Sequence, residues 1–216
     1  MANGQHSVEE ARPRGGRLPR RERRAQLLDS ALEVFVAHGY HSAAMDDIAE
    51  KAGVSKPVLY QHFPGKLDLY LALLDASCDN LIDNCRRALE STHDNKQRVE
   101  ATMDAFFAYV SNESGAFRLV FESDLTNEPA VRGHVERVTT ECADLIAHVI
   151  SDDTGLPDEA SRLLAVSLVG MAQVSARFWL SEASGIKSRV KQGDAAALVA
   201  GLAWRGIRGY PLTDDH

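Results

Sequence analysis

The stretch Ile48-Ala49-Glu50-Lys51-Ala52-Gly53-Val54-Ser55-Lys56-Pro57-Val58-Leu59-Tyr60-Gln61-His62-Phe63 decides how this chain folds. It reads as two short helices, Met45–Lys51 and Lys56–His62, joined by a tight turn that contains a glycine. That is the layout of a helix-turn-helix. Ala49 is small where two helices cross closely. Gly53 can adopt the left-handed conformation that ends the first helix. Val54 and Leu59 bury between the helices, with Ile48 behind them. Ser55 suits the N-cap of the second helix, and Pro57 suits its first turn. The second helix then presents Lys56, Tyr60, Gln61 and His62 outward with no carboxylate among them. Such a helix fits the major groove of B-DNA, where its N-terminal residues reach base edges.

Working outward, Leu27, Leu28, Ala31, Leu32, Phe35 and Val36 recur at three- and four-residue steps, so a helix runs from about Arg20 until Gly39 stops it. Pro64-Gly65 breaks the chain after the second short helix, and a long helix follows over Lys66–Leu89. Further helices are expected over 94–112, 114–122, 128–151, 157–183 and 188–208, with Pro129 and Pro157 in first turns. No strand pattern appears, so the fold class is all-α, with about nine helices. Residues 1–19, rich in Pro, Gly and Arg, read as a flexible basic arm. Residues 20–66 read as a helix-turn-helix DNA-binding domain, and 67–216 as a ligand-binding and dimerisation domain.

Charge supports that division. The 216 residues carry a net charge of −7, which alone argues against a polyanion as partner. Residues 1–66, however, hold 10 Lys and Arg against 8 Asp and Glu, while the remainder holds 14 against 23. A basic end on an acidic body implies that one end meets a polyanion. The three cysteines, Cys78, Cys85 and Cys142, have neither a CxxC nor a zinc-ribbon spacing, and scattered thiols fit a reducing cytoplasm. No apolar leader opens the chain. The longest nearly unbroken apolar stretch, Ala195 to Trp204, is about half of the ~20 residues a bilayer span needs, so no membrane partner is expected.

Residues Arg23 to Leu74 resemble the TetR family of one-component bacterial regulators. The resemblance rests on Val34-Phe35-x3-Gly39-Tyr40, Asp46-Asp47-Ile48-Ala49, Gly53-Val54-Ser55, Leu59-Tyr60-x-His62-Phe63 and Lys66. It implies three DNA-binding helices, the third being the recognition helix, on a variable helical body that binds a ligand and dimerises. One departure is visible: where the family has Ser or Thr at the start of its second helix, this chain has Ala44. Over its whole length the chain is similar to the lipid-sensing branch of that family, regulators of fatty-acid synthesis that respond to long-chain acyl-CoA. The matching segments are Arg17-Leu18-Pro19-Arg20, Lys56 to Phe63, Lys66-Leu67-x-Leu69-Tyr70-Leu71, Phe117 to Glu122, Val169-Gly170-Met171 and Gly-x-Pro211-Leu212-Thr213.

These resemblances assign expected roles. Lys56, Tyr60 and His62 are placed on phosphates and in the groove, with Lys66 on a phosphate and Ser55 at the helix start. Pro57, Val58 and Gln61 are the expected base readers; Gln61 can pair bidentately with adenine and Val58 can touch a thymine methyl. An effector cavity is expected among Leu81, Cys85 and Leu89 of the fourth helix, Phe106, Phe107 and Val110 of the fifth, then Phe117, Phe121 and Met171. No buried charge pair is evident there, so the effector should be apolar, and a fatty chain fits. A coenzyme A head would need cations at the mouth, for which Arg86, Arg87, Arg98 and Arg118 are available.

Small residues mixed with apolar ones in the last two helices (Ala165, Gly170 and Ala172 beside Leu168, then Ala196, Ala200 and Gly201 beside Leu202) suit a four-helix homodimer seam. A dimer also places two recognition helices one DNA turn apart, ~34 Å, on a palindromic double-stranded operator. An enzyme is the rival class, but no nucleophile elbow, phosphate-binding glycine loop or His-Glu-x2-His occurs. Asp144, His148 and Asp152 share a helix face that more simply reads as solvated than as a metal site. Neither metal nor cofactor is expected. A repressor of an efflux or catabolic operon that senses another hydrophobic molecule is the alternative within regulation, although an aromatic content of 6% favours lipid over a flat aromatic effector.

Overall fold

The computed structural model describes residues 18–111, 115–121, 125, 128–181 and 189–207. The basic arm, apart from Leu18 and Pro19, and the C-terminal Pro211-Leu212-Thr213 therefore lie outside the described residues. Among the described residues there are nine helices and no strand: α1 (Arg20–Ser42), α2 (Met45–Lys51), α3 (Lys56–His62), α4 (Lys66–Glu90), α5 (Asn95–Ser111), α6 (Ala116–Phe121), α7 (Pro129–Thr154), α8 (Asp158–Leu180) and α9 (Gln192–Ile207).

The head forms as its sequence dictates. Leu27, Ala31, Val34 and Phe35 line one face of α1 and are buried. Gly39 (φ 72°, ψ 166°) breaks the helix geometry where expected, and Ala43 N–H then donates to its carbonyl. Leu27, Ile48 and Leu59 are fully buried and Phe63 nearly so, closing α2 and α3 onto α1. Burying one such side chain is worth about 1.5–3 kcal/mol, so these four dominate the head's stability. Gln26 of α1 reaches the turn itself, its Nε2 donating to Ala52 O at 2.9 Å. Gly53 sits at φ 63°, the left-handed region, and the turn closes with Gly53 N–H to Glu50 O and Val54 N–H to Ala49 O.

Two helices of the head lack a side-chain cap: α2, as its Ala44 leads one to expect, and α3, against expectation. Ala44 stands at the N-cap of α2 with no side-chain acceptor; instead its own N–H donates to Asp47 Oδ2 at 3.3 Å. Ser55 does occupy the N-cap of α3, but its hydroxyl makes no capping bond.

The body surrounds α4, whose 25 residues run from the head into the bundle. Helix α4 packs between α5 and α7, α8 lies on α7, and α9 lies on α5. Arg137 of α7 fastens α4 by donating to Asp75 and Asp79 at 2.9 and 2.8 Å. Gly155 (φ 66°) ends α7 with its N–H on Ser151 O, and Trp179 Nε1 donates to Val190 O to tie α8 to the segment before α9.

One described helix, α8, is long and apolar enough to cross a membrane by length and composition, although polar residues interrupt its apolar run. Its residues divide by face. Ala165, Val169, Ala172, Ala176 and Trp179 are buried in the bundle, whereas Leu163, Val166, Val174 and Phe178 form an exposed stripe. On α9, Leu198 and Leu202 are likewise exposed.

Candidate DNA-binding surface and effector cavity

On α3, Ser55, Lys56, Pro57, Tyr60 and Gln61 are exposed, while Val58 and His62 are half-buried and Leu59 is turned into the core. Of the residues expected to read DNA, Val58 and His62 are thus the partly covered members. Because its hydroxyl leaves the cap unfilled, Ser55 presents an unused O–H at the helix N-terminus. Lys56 is not a lone cation: its ammonium pairs with Asp46 of α2 at 2.8 Å, and that carboxylate raises its pKa.

Arg20, Arg23 and Arg24 start α1 beside the end of α3. Arg24 lies over the Phe63 ring at 4.4 Å, and Arg23 donates to Gln26 Oε1 at 2.7 Å. Partial burial lowers the His62 pKa, and the charges of Arg20, Arg24 and Arg23 lower it further. Sequence reading places these three arginines on the first helix but gives them no DNA-contact role; the structure puts them on the same surface as the recognition helix. The signal that could have found them is the helical periodicity that begins at Arg20.

Lys66 is corrected by its geometry. Its Nζ donates to the carbonyls of Tyr40, Ala43 and His41 at 2.8, 2.9 and 3.2 Å, and lies 4.5 Å from the Tyr40 ring centroid. An ammonium has three donors. All three are committed to carbonyls at the end of α1 and of Ala43 just beyond it, so the side chain is a clamp on the head and not a donor awaiting a phosphate.

Among the described residues of the body two apolar chambers adjoin one another. The narrow one, about 50 Å³, is lined by Leu81, Cys85, Phe106, Phe121, Cys142 and Gln173 among others. The wider one, about 260 Å³, is bounded by Leu89, Arg98, Val99, Val149, Asp153 and Trp204 among others. Thr102, Met103, Ile146 and Leu168 border both, so they form the neck between them. The walls come from α4, α5, α7, α8 and α9, with Phe121 from α6, and they are overwhelmingly apolar.

Five of the nine expected cavity residues are walls: Leu81, Cys85, Leu89, Phe106 and Phe121. Phe107, Val110 and Phe117 are instead buried core. Phe107 packs edge-on to Trp179 at 5.7 Å, and Phe117 lies edge-on to Phe106 and tilted against Phe121. Met171 is half-buried and borders neither chamber. The expectation of no charge pair is also corrected. Arg98 Nη1 meets Asp153 Oδ2 at 3.0 Å in the wall of the wider chamber, both side chains only 16% exposed. Arg98 further donates to Thr92 O and Asn95 Oδ1, which fixes the guanidinium in place. Of the other candidate mouth cations, Arg86 pairs with Asp83 at 2.6 Å.

Helix α6 joins cavity and head. Phe121 at one end lines the narrow chamber. At the other end Gly115 (φ 72°) lies against α1 so closely that a Cβ there would come 2.7 Å from Val36 Cγ1. Helix α6 thus touches both the narrow chamber and α1 of the head.

On the acidic face of α7, His148 lies 3.4 Å from Asp152, and Asp144 pairs with Arg162 of α8. Among the described residues no three His, Cys, Asp or Glu side chains gather as a metal site would require.

A helix-turn-helix head on a helical body that encloses an apolar cavity defines the class: a DNA-binding transcriptional regulator, not an enzyme. Comparison with known proteins places it further. The profile for bacterial regulatory proteins of the tetR family matches residues 27–73. The chain is 46% identical to the HTH-type transcriptional activator FasR of Mycolicibacterium smegmatis, covering 99% of this chain and 98% of that protein. Among solved structures it is similar to a TetR-like regulator from Rhodococcus sp. RHA1 (TM-score 0.67, 26% identity, 89% of this chain and 100% of that one). It also shares its fold with FadR from Bacillus subtilis in complex with stearoyl-CoA (TM-score 0.68, 17% identity, 83% and 96%). The protein belongs to the TetR family and is a FasR-type regulator.

Proposed function

We propose that the protein regulates genes of fatty-acid synthesis as a cytoplasmic homodimer on a palindromic operator, and that long-chain acyl-CoA in the body releases it from DNA. The observation that carries the reading is the pair of adjoining apolar chambers, whose joint lining suits an extended hydrocarbon chain. The whole-length similarity to FasR supports the gene class. The stearoyl-CoA belongs to the Bacillus FadR, and its presence in a protein of the same fold is in keeping with an acyl ligand here. Residues 20–66 act as the DNA-binding domain and the rest as the sensing and dimerisation body. Ser55, Lys56, Tyr60 and His62 approach phosphates and the groove, while Pro57, Val58 and Gln61 read bases. An acyl chain that displaces Phe121 pushes α6, and through Gly115 and Val36 shifts α1. Differential affinity of about 1–3 kcal/mol between two head spacings suffices for a 5- to 150-fold change in DNA binding.

The test is fluorescence anisotropy on DNA selected from a random pool, titrated with palmitoyl-CoA, alongside native mass spectrometry of the purified protein. Release by palmitoyl-CoA and a dimer with co-purified lipid are expected. DNA binding indifferent to palmitoyl-CoA would overturn the effector assignment.

Leu168→Trp places an indole in the neck shared by both chambers. Overfilling such a site costs about 1–3 kcal/mol, so the palmitoyl-CoA concentration for release should rise roughly tenfold or more, with DNA affinity kept. Release at the parent concentration would show that the chain does not pass this neck.

His62 gives a pH dependence. Its depressed pKa keeps the imidazole neutral in the free protein near neutral pH, whereas a phosphate partner favours the imidazolium. Binding therefore takes up a proton, and DNA affinity should strengthen several-fold as pH falls from about 7.5 to about 6. Fold stability moves the other way. The unfolded chain binds this proton more readily, so stability declines as pH drops from 6.5, the ordinary histidine value, through the depressed one. His62→Gln should flatten the DNA-affinity slope; an unchanged slope would remove His62 from the interface.

A further inference from the structure

Two of the three cysteines are cavity walls. Cys85 on α4 and Cys142 on α7 are both free thiols, both buried, and both line the narrow chamber. Their helices pack directly on one another. The remaining thiol, Cys78, borders neither chamber and points to His134 O at 3.7 Å. We propose that Cys85 and Cys142 are an oxidant-sensitive dithiol that closes to a disulfide across the cavity when an apolar organic hydroperoxide enters it.

The surroundings select both the oxidant and the attacking sulfur. Leu81, Phe106 and Leu168 make the chamber accessible to an apolar peroxide and unfavourable for a charged oxidant. The neighbouring Cys142 thiol lowers the Cys85 pKa, with the Arg86 charge assisting against burial. Cys142 itself is raised by that same contact and by burial, and burial pushes Cys78 up to about 12. Since the thiolate is the nucleophile, Cys85 attacks and Cys142 resolves. Cys85 thiolate attacks the outer peroxide oxygen, the O–O bond breaks, and the alkoxide leaves as alcohol with the proton Cys85 lost. The Cys142 sulfur then attacks the Cys85 sulfenic acid. An S–S bond forms, and the hydroxyl leaves as water with the Cys142 proton. Two thiols lose two electrons and two protons, and one hydroperoxide becomes one alcohol and one water.

The new bond would draw α4 and α7 together over the narrow chamber and exclude an acyl chain from it. This consequence rests on the effector reading above, whereas the bond itself does not. The test treats the full-length protein with cumene hydroperoxide. Intact mass should fall by two hydrogens, peptide mapping should link Cys85 to Cys142, and dithiothreitol should reverse both changes. Cys78→Ser should form the same link. Cys142→Ser should stop at a sulfenic acid that dimedone traps on Cys85. In the parent protein, the oxidised form should bind palmitoyl-CoA about tenfold more weakly than the reduced form of the same sample. No mass change, a link through Cys78, or sulfinic acid at Cys85 without a link would overturn the proposal. A Cys85–Cys142 link in a protein that binds no palmitoyl-CoA in either state supports the dithiol and overturns the effector reading alone.

Discussion

Phe178→Asp combined with Leu198→Asp is expected to yield a folded monomer with DNA affinity reduced by a factor of roughly 10²–10⁴. Phe178 is 58% exposed and Leu198 68% exposed, so neither supports the fold of one chain. Together with Leu163, Val166, Val174 and Leu202 they make an apolar stripe along α8 and α9 of a kind that marks an interface. Under two-fold symmetry each substitution occurs twice, so four carboxylates enter an otherwise apolar stripe. Two linked recognition helices bind a palindrome with the second contact made intramolecular; a monomer loses that gain. Light scattering at micromolar concentration reads the state directly, and helical circular dichroism guards against unfolding. A dimer that persists would mean the seam lies elsewhere.

The second large effect is expected at Lys66. Lys66→Met keeps an apolar stem over Tyr40 but removes all three bonds to the carbonyls of Tyr40, His41 and Ala43. Charge-assisted bonds of this kind contribute about 1.5–3 kcal/mol each when well shielded. Here the site is partly exposed, and water can satisfy some of the carbonyls. We expect a net loss of about 2 kcal/mol, which lowers the thermal midpoint by roughly 4–8 °C. DNA affinity should fall for every sequence alike, because the connection that places α2 and α3 loosens. An unchanged midpoint with weakened DNA binding would return Lys66 to the role of phosphate contact that its position first suggested.

Lys66 also illustrates where sequence reading stops. The helix-turn-helix was legible because its information is local: Gly53 at positive φ, Leu59 inward and Tyr60 outward all follow from spacing within one short stretch. The helix boundaries of the body were legible for the same reason, through proline and glycine punctuation. Partners were not. The carbonyls that hold Lys66 lie 23 to 26 residues away, and Arg98 meets Asp153 across 55 residues. Periodicity gives the width of an apolar stripe but not its rotation against neighbours. Phe106 and Phe107 are adjacent and equally apolar, yet one faces the chamber and the other packs on Trp179. Ser55 was correctly placed at its helix terminus, but whether its hydroxyl turns back to the backbone is a matter of rotamer, which spacing does not encode.

The Lys56–Asp46 pair alters how this head should respond to ionic strength. A lysine that meets a phosphate ordinarily displaces a condensed counterion from the duplex, and that release makes protein–DNA affinity fall steeply with salt. Lys56 arrives with its charge already balanced by Asp46. If the pair opens on DNA, the freed carboxylate must recruit a cation from solution, offsetting the one released. If it stays closed, the lysine displaces little. Either way, this regulator's grip on its operator should depend on salt less steeply than a count of its cations would indicate.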